Sequence, residues 1–265
     1  MAEAYELWKA MSIAGEDLTF WQNFYVKFYQ AFIEADRWKQ YLEGMGTTLY
    51  VTVIAILIGI VLGVIVASIR TAHDQQRRLA CAHSSLKRPR IRRTRPAKTR
   101  FPRKVYVTVI RGTPMMVQLM IMGFVIFKSS RNFTMVGALG LGLNSGAYVA
   151  EIIRGGLMSL DQGQSEAGRS LGLGYMDTMR FIVVPQAFKA VLPALGNEFI
   201  ILLKDTSLLN IIGGKELVHA AQGIMNRTWE QMFPLLGISF MYLIMVMILS
   251  WLQGKLERRL RQSER

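Results

Sequence analysis

The sequence predicts an all-α membrane protein with five spans. Three observations carry this: apolar runs long enough to cross a bilayer, basic residues gathered into one loop, and an amphipathic aromatic stretch ahead of the first run. Of 265 residues, 51% are apolar, and Val51 to Ile69 contains no charged residue. A helix of about 20 such residues rises about 30 Å, the thickness of a bilayer's hydrocarbon core.

The elements follow in order. Between residues 20 and 32, Phe20, Trp21, Phe24, Tyr25, Phe28, Tyr29 and Phe32 recur at helical steps. Lys27, Glu34, Asp36 and Arg37 prevent that stretch from spanning. It reads as a helix lying in the membrane interface, within an extracytoplasmic segment 1–41; the alternative is an amphipathic helix packed on protein. Glu3 and Glu6 stand where a secretory signal would be basic, so insertion is expected to depend on the later runs. The spans are placed at about 46–69, 105–127, 134–156, 194–213 and 233–252 of a transmembrane domain 42–260, followed by a short tail 261–265.

The net charge of +14 is nearly all in one place. Arg70 to Lys104 holds thirteen Lys/Arg against one acid, Asp74. The only aromatics in that loop are Phe101 and the His73 and His83 rings, so nucleic-acid recognition is not its function; contact with anionic lipid is a plausible accessory role. His73, His83 and Cys81 make a poor metal site, and no metal is expected. A single cysteine forms no intrachain disulfide. So abrupt an Arg/Pro/Ser/Thr stretch is also what a local reading-frame error would produce; peptides matching 77–100 by mass spectrometry would refute that origin. With five spans, the basic loop 70–104 and the basic tail share a side, which the positive-inside rule makes cytoplasmic. The expected topology is N-terminus outside and C-terminus inside, with loop 157–193 also inside.

That last loop is the most informative segment. It reads GQSEAGRSLGLGYMDTMRFIVVPQAFKAVLP from Gly163, with apolar residues at helical spacing, Gly172 and Gly174 as a break, and Pro185 and Pro193 beyond. The pattern predicts a helix, a turn, a second helix and a stop at Pro193, forming an amphipathic rod suited to another protein's groove.

The same residues resemble the signature of binding-protein-dependent importers: Glu-Ala-Ala, three residues, Gly, nine residues, Ile, one residue, Leu-Pro. Here Glu166, Ala167, Gly168, Gly172, Ile182, Val184 and Pro185 keep every spacing, with Gly168 for the second alanine and Val184 for the leucine. Pro185 to Leu209 is similar to polar amino acid permeases (the histidine, glutamine and arginine type) in particular. So are Val109 to Pro114 with Gln118, and Asn144 to Glu151. The basic loop 70–104 is longer and richer in Arg than that family's pattern.

The resemblance implies a type I ABC importer transmembrane domain with a five-helix core, in a bacterial cell membrane. It implies two permease subunits (identical or homologous), a separate ATPase dimer docked on the helix Glu166 to Gly172, and an extracytoplasmic amino-acid-binding protein. ATP and Mg belong to that ATPase, and no cofactor or enzymatic activity is expected of this chain. The closest approach to a phosphate-binding loop, Gly213-Gly214-Lys215, has Leu209 and Glu216 where Gly and Ser or Thr are required.

Charges inside spans mark cavities or bundle interiors. Arg111 either snorkels to the cytoplasmic interface or pairs inside the bundle near Pro114. Asn144, Tyr148 and Glu151 fall on one face of the third span. That face could hold an ammonium through Glu151 and a carboxylate through Asn144 or Arg111, or could serve as helix–helix glue. Lys204 and Asp205 are expected to pair with another span, the alternative being contact with substrate. The alternative function, a gradient-driven secondary transporter or channel, predicts repeats and broken helices and leaves the Glu166 signature unexplained.

Overall fold

The computed structural model describes residues 2–85 and 101–262, which are helical almost throughout. Residues 86–100 of the basic loop lie outside the described residues, as do the side chains of His73, Cys81 and His83. Four helical stretches, Glu34–Ile69, Phe133–Ser159, Tyr175–Ile212 and Met232–Leu260, are long and apolar enough to cross a membrane. A bent pair, Val105–Gly112 with Met115–Ile126, passes the same test only when taken together, and makes a fifth crossing if it is one span.

The chain opens with a hairpin of α1 (Ala2–Ile13) and α2 (Phe20–Phe32). The aromatic stripe of α2 does not act as one face. Tyr25 and Tyr29 turn toward α1, where they meet Trp8 and Tyr5, while Phe24 and Phe28 turn toward Phe233. Ala35 and Asp36, both at positive φ, then swing the chain into α3 (Arg37–Ser85). The carboxylate of Glu34 fixes this corner: it accepts from Tyr5 Oη at 2.9 Å, Lys9 Nζ at 2.5 Å and Arg37 Nη1 at 2.8 Å. The first span's helix runs on to Ser85, well into the stretch expected to be loop.

The second span is not the continuous helix expected. It is broken between α4 (Phe101–Gly112) and α5 (Met115–Met120), which meet at 103° and continue into a π-helix, Ile121–Ile126. Pro114 has no N–H to donate and disfavours helical backbone at Thr113, so the ladder stops there.

The central helix is α6 (Phe133–Ser159), begun by Asn132, whose side chain accepts from Met135 N at 3.1 Å. It packs on α3 through two reciprocal glycine pairs. A Cβ on Gly59 would lie 2.7 Å from Ser145 Oγ, and one on Gly63 2.5 Å from Val149 Cγ1. From the other side, a Cβ on Gly142 would lie 2.7 Å from Ile58 Cβ, and one on Gly146 2.9 Å from Leu62 Cβ. Small residues four apart let two helices approach closely where lipid offers no hydrophobic driving force. Any larger residue here overpacks the contact, at about 1–3 kcal/mol.

After α6 come α7 (Gln162–Ser170) and α8 (Tyr175–Thr178), a π-helical stretch Met179–Val183, and α9 (Val184–Asp205). The predicted stop at Pro193 is absent, because α9 passes through it. Pro185 lies just after the π-helical stretch that runs into α9, where the regular ladder is already interrupted. A 3₁₀ segment, Thr206–Ile212, ends at Gly213 with φ +81°, and α10 (Leu217–Thr228) and α11 (Met232–Gln262) complete the chain. Gln253 of α11 donates to Pro193 O at 3.3 Å, so the C-terminal part of α11 and the loop of α7 and α8 share one end of the bundle. Among the described residues Lys204 and Asp205 form no salt bridge, so the expected pairing with another span is not found in this chain.

At the other end, Glu216 caps α10 from a fully buried position. Its carboxylate accepts from Val218 N, His219 N and Tyr242 Oη at 2.8, 2.9 and 3.1 Å. Burial pushes this carboxyl up to about 7 against the pull of those donors. The folded state therefore holds a proton more tightly than the unfolded chain. This contribution to stability is present below the unfolded value and is lost as pH rises through about 7. The thermal midpoint in detergent should fall between about pH 5 and pH 8, and Glu216→Gln should flatten that fall. An identical pH profile in the variant would refute the assignment.

Candidate functional site

Two assemblies stand out: the projecting pair α7 and α8, and a polar cluster where the broken span meets α6 and α9.

The loop helix α7 begins at Asp161, whose Oδ1 accepts from Gly163 N at 2.9 Å. It ends in a Schellman turn: Leu173 N donates to Gly168 O at 3.1 Å and Gly172 N to Arg169 O at 3.0 Å. Gly172 carries φ +80°, a conformation costing a residue with a Cβ roughly 1 kcal/mol or more. The glycine four residues past Gly168 is thus a helix stop. Gly168 is the buried contact of α7: a Cβ there would lie 2.9 Å from Ile182 Cδ1 and 3.0 Å from Thr178 Cγ2. Glycine in place of the signature's alanine lets α7 seat closely on α8 and the π-helical stretch. Gln186 Nε2 donates to Gln164 Oε1 at 3.2 Å and ties α7 to the start of α9.

With Gly168 turned inward, Glu166 and Ala167 are exposed. Beside them Leu171 and Met176 are 80% and 73% exposed. The result is a short, rigid rod presenting one carboxylate and two large apolar side chains at the end of a spanning helix. Pro185, the last residue of the signature, lies where this rod joins α9.

The polar cluster grows from the break at Thr113-Pro114. Breaking a helix leaves carbonyls without donors, a cost of about 1–3 kcal/mol each in a dry environment. Here side chains supply the donors: Thr113 Oγ1 to Val109 O at 2.8 Å, and Gln118 Nε2 to Ile110 O at 2.7 Å, with Thr113 O and Thr113 Oγ1 also in reach at 3.1 and 2.7 Å. The other end of that amide faces α6, where Gln118 Oε1 accepts from Asn144 Nδ2 at 3.1 Å. One turn on, the Arg111 guanidinium lies 4.9 Å from the Tyr148 ring centroid. Four of the residues singled out above, Arg111, Gln118, Asn144 and Tyr148, are therefore one group.

Glu151 is joined elsewhere. Arg154, on its own helix, reaches its Oε2 with Nη2 at 2.7 Å and Nε at 2.8 Å. A residue not singled out stands beside this group: Glu198 of α9, buried, accepts from Ser145 Oγ at 2.9 Å, and Ser145 follows Asn144 in α6. Glu198 is an ionisable residue in a spanning helix, the same signal that marks Arg111, and that signal is enough to find it in the sequence. The broken span thus carries a cation, Arg111, and the helix α9 carries a buried carboxylate, Glu198, bonded to α6 beside Asn144.

The family model for "Binding-protein-dependent transport system inner membrane component" matches residues 94–262. The glutamine transport system permease protein of Escherichia coli (strain K12) is 34% identical over 224 residues, covering 83% of this chain and 92% of that protein. The arginine transport system permease protein of Bacillus subtilis (strain 168) is 33% identical over 228 residues, covering 84% and 93%. Among solved structures, an amino acid ABC transporter with histidines has a TM-score of 0.70 at 33% identity, covering 83% of this chain and 94% of that one. A methionine ABC transporter in inward-facing conformations has a TM-score of 0.67 at 17% identity, covering 86% and 99%; that likeness is one of fold.

Proposed function

The chain belongs to the family of binding-protein-dependent transport system inner membrane components, and from that membership we propose how it works and what it carries. It is a multi-pass inner-membrane permease subunit of an amino acid ABC importer, with the type I transmembrane fold. The cargo is a polar L-amino acid, a reading supported by relatives named for glutamine and arginine transport. A separate ATPase dimer, holding ATP and Mg, docks on α7 through Glu166, Ala167 and the Gly168–Gly172 turn. An external binding protein delivers the amino acid, and a second permease subunit completes the pathway.

The observation that carries this reading is the rod itself: α7 is capped at both ends, seated through Gly168, and exposed along Glu166 and Ala167. It lies at the same end of the bundle as the stretch of α11 with Lys255, Arg258 and Arg259, which favours a cytoplasmic placement. Closing the ATPase dimer moves the two α7 helices together, and the movement passes through Pro185 into α9 and alternates access to the pathway. A broken span is also a feature of gradient-driven carriers, but family membership speaks against that alternative.

The polar cluster is the substrate pathway of this reading, with Arg111 toward the carboxylate and Glu198 toward the ammonium. Gln118 and Asn144 hold the break open between them, Tyr148 positions Arg111, and Glu151 lies at the edge. Replacing Glu198 with Gln keeps an acceptor for Ser145 while removing the charge. Uptake in the assembled complex should fall roughly tenfold, the worth of one charge-assisted hydrogen bond, and Glu151→Gln should cost less. Unchanged uptake by a folded Glu198→Gln complex would rule out its contact with cargo.

A further inference from the structure

Outside the matched pathway and loop, α2 exposes a group of aromatic rings. Phe20 and Trp21 are 71% and 72% exposed, and Phe24 and Phe28 are 42% and 40% exposed, all on one side of a thirteen-residue helix. The opposite side is occupied: Val26 is buried, and Tyr29 stacks on Tyr5 with ring centroids 4.2 Å apart; on the aromatic side the patch ends where Ala31 is buried. The hairpin is also fixed. Glu34 ties α1, α2 and the start of α3 together, and Lys27 Nζ reaches Glu230 Oε2 at 3.0 Å.

What covers the exposed rings follows from their neighbour. Phe24 and Phe28 meet Phe233 in α11 at centroid distances of 4.9 and 6.2 Å, and the Phe32 ring closes on Gly237, where a Cβ would lie 2.6 Å away. Eight residues of α2 thus track only four of α11, so α2 crosses the first turns of that span obliquely. The outward face of α11 at this level, Met232, Leu235, Leu236 and Phe240, is itself exposed. Such an apolar face on a spanning helix suits lipid, and the label at 240 below tests that against cover by the second permease subunit. The α2 aromatics extend the same surface sideways, at the depth where a span emerges and aromatic rings partition best.

We propose that α2 is a lipid-docking surface: Phe20, Trp21, Phe24 and Phe28 seat the hairpin in the interfacial layer of the bilayer beside α11. The occupant is lipid rather than protein because the patch is continuous with the lipid-facing side of a span. Attraction is through the rings and not through charge. Residues 2–33 carry Glu3, Glu6, Glu16 and Asp17 against Lys9 and Lys27, with no basic cluster to recruit anionic headgroups. The hairpin then sets the tilt of α3 and α11 by bracing both against the membrane surface.

This proposal rests on the reading of α11 as a span, and the test separates the two. Nitroxide labels at Trp21→Cys, Asn23→Cys and Phe240→Cys, each in a Cys81→Ser background, are compared in nanodiscs for collision with oxygen and with a water-soluble nickel chelate. Positions 21 and 240 should favour oxygen, and position 23, exposed on another side of α2, should favour nickel. The result at 21 should be the same in phosphatidylcholine and in phosphatidylglycerol mixtures. Position 240 in lipid with 21 as open to nickel as 23 would overturn the docking alone, and so would a label at 21 screened from both reagents, which means a protein partner. Docking that requires phosphatidylglycerol would overturn the aromatic mechanism. Failure at 240 would overturn the membrane placement itself.

Discussion

Ala167→Trp in the loop helix should leave the permease folded and stop transport. Ala167 is exposed and makes no buried contact, so the isolated subunit should keep its thermal midpoint. In the complex, the bulky ring would stand where α7 enters the groove of the ATPase. Loss of a central interface contact costs about 2 kcal/mol or more, roughly a thirtyfold weakening of assembly. Co-purification with the ATPase should collapse and ATP-driven uptake with it. Gly168→Ala is the contrasting substitution. Its Cβ meets the flexible Cδ1 tip of Ile182, with Thr178 yielding by a few tenths of an ångström, and it restores the family's usual residue at a helix-interior position. Assembly should survive it. If Ala167→Trp assembled and transported normally, α7 would not be the docking element.

Gln118→Leu should damage the permease from inside. The substitution is close in size but removes the donors to Ile110 O and the acceptor for Asn144. A buried group left without a partner costs about 1–3 kcal/mol and these half-buried ones less, but here one side chain serves both the break and α6. A fall in thermal midpoint in detergent should accompany loss of uptake, and Asn144→Leu should reproduce part of both. Because the two residues share one hydrogen bond, the double variant should cost less than the sum of the singles. Additive losses would show that the amide bridge between α5 and α6 is not functional.

The apolar runs were legible because crossing a bilayer demands length and hydropathy, which are local properties. The Gly172 turn was legible for a related reason: only glycine readily adopts its φ, so a glycine at a helix end shows in the chain itself. Pro193 misled, since a proline at the edge of an apolar run reads as a stop, whereas α9 absorbs it within the helix. The break at Thr113-Pro114 was visible as a proline but not as a bend of 103°, which depends on Gln118 reaching back across it. Pairings between distant segments were the least accessible. Nothing near Ser145 points to Glu198, 53 residues away, and the glycine pairs of α3 and α6 acquire meaning only when the two helices are brought together. Asn144, Tyr148 and Glu151 do share a helical face, but Glu151 is drawn to Arg154 on the same helix, one turn along.

The central claim is that ATP hydrolysis by a partner drives this permease through α7. The direct measurement is uptake of radiolabelled polar amino acids by proteoliposomes holding the permease, its ATPase and its binding protein, with ATP enclosed or absent and ion gradients collapsed. Coupling through α7 predicts uptake that requires ATP on the α7 side and disappears with Ala167→Trp. Uptake driven by an ion gradient alone, without ATP and unaffected by that substitution, would contradict it.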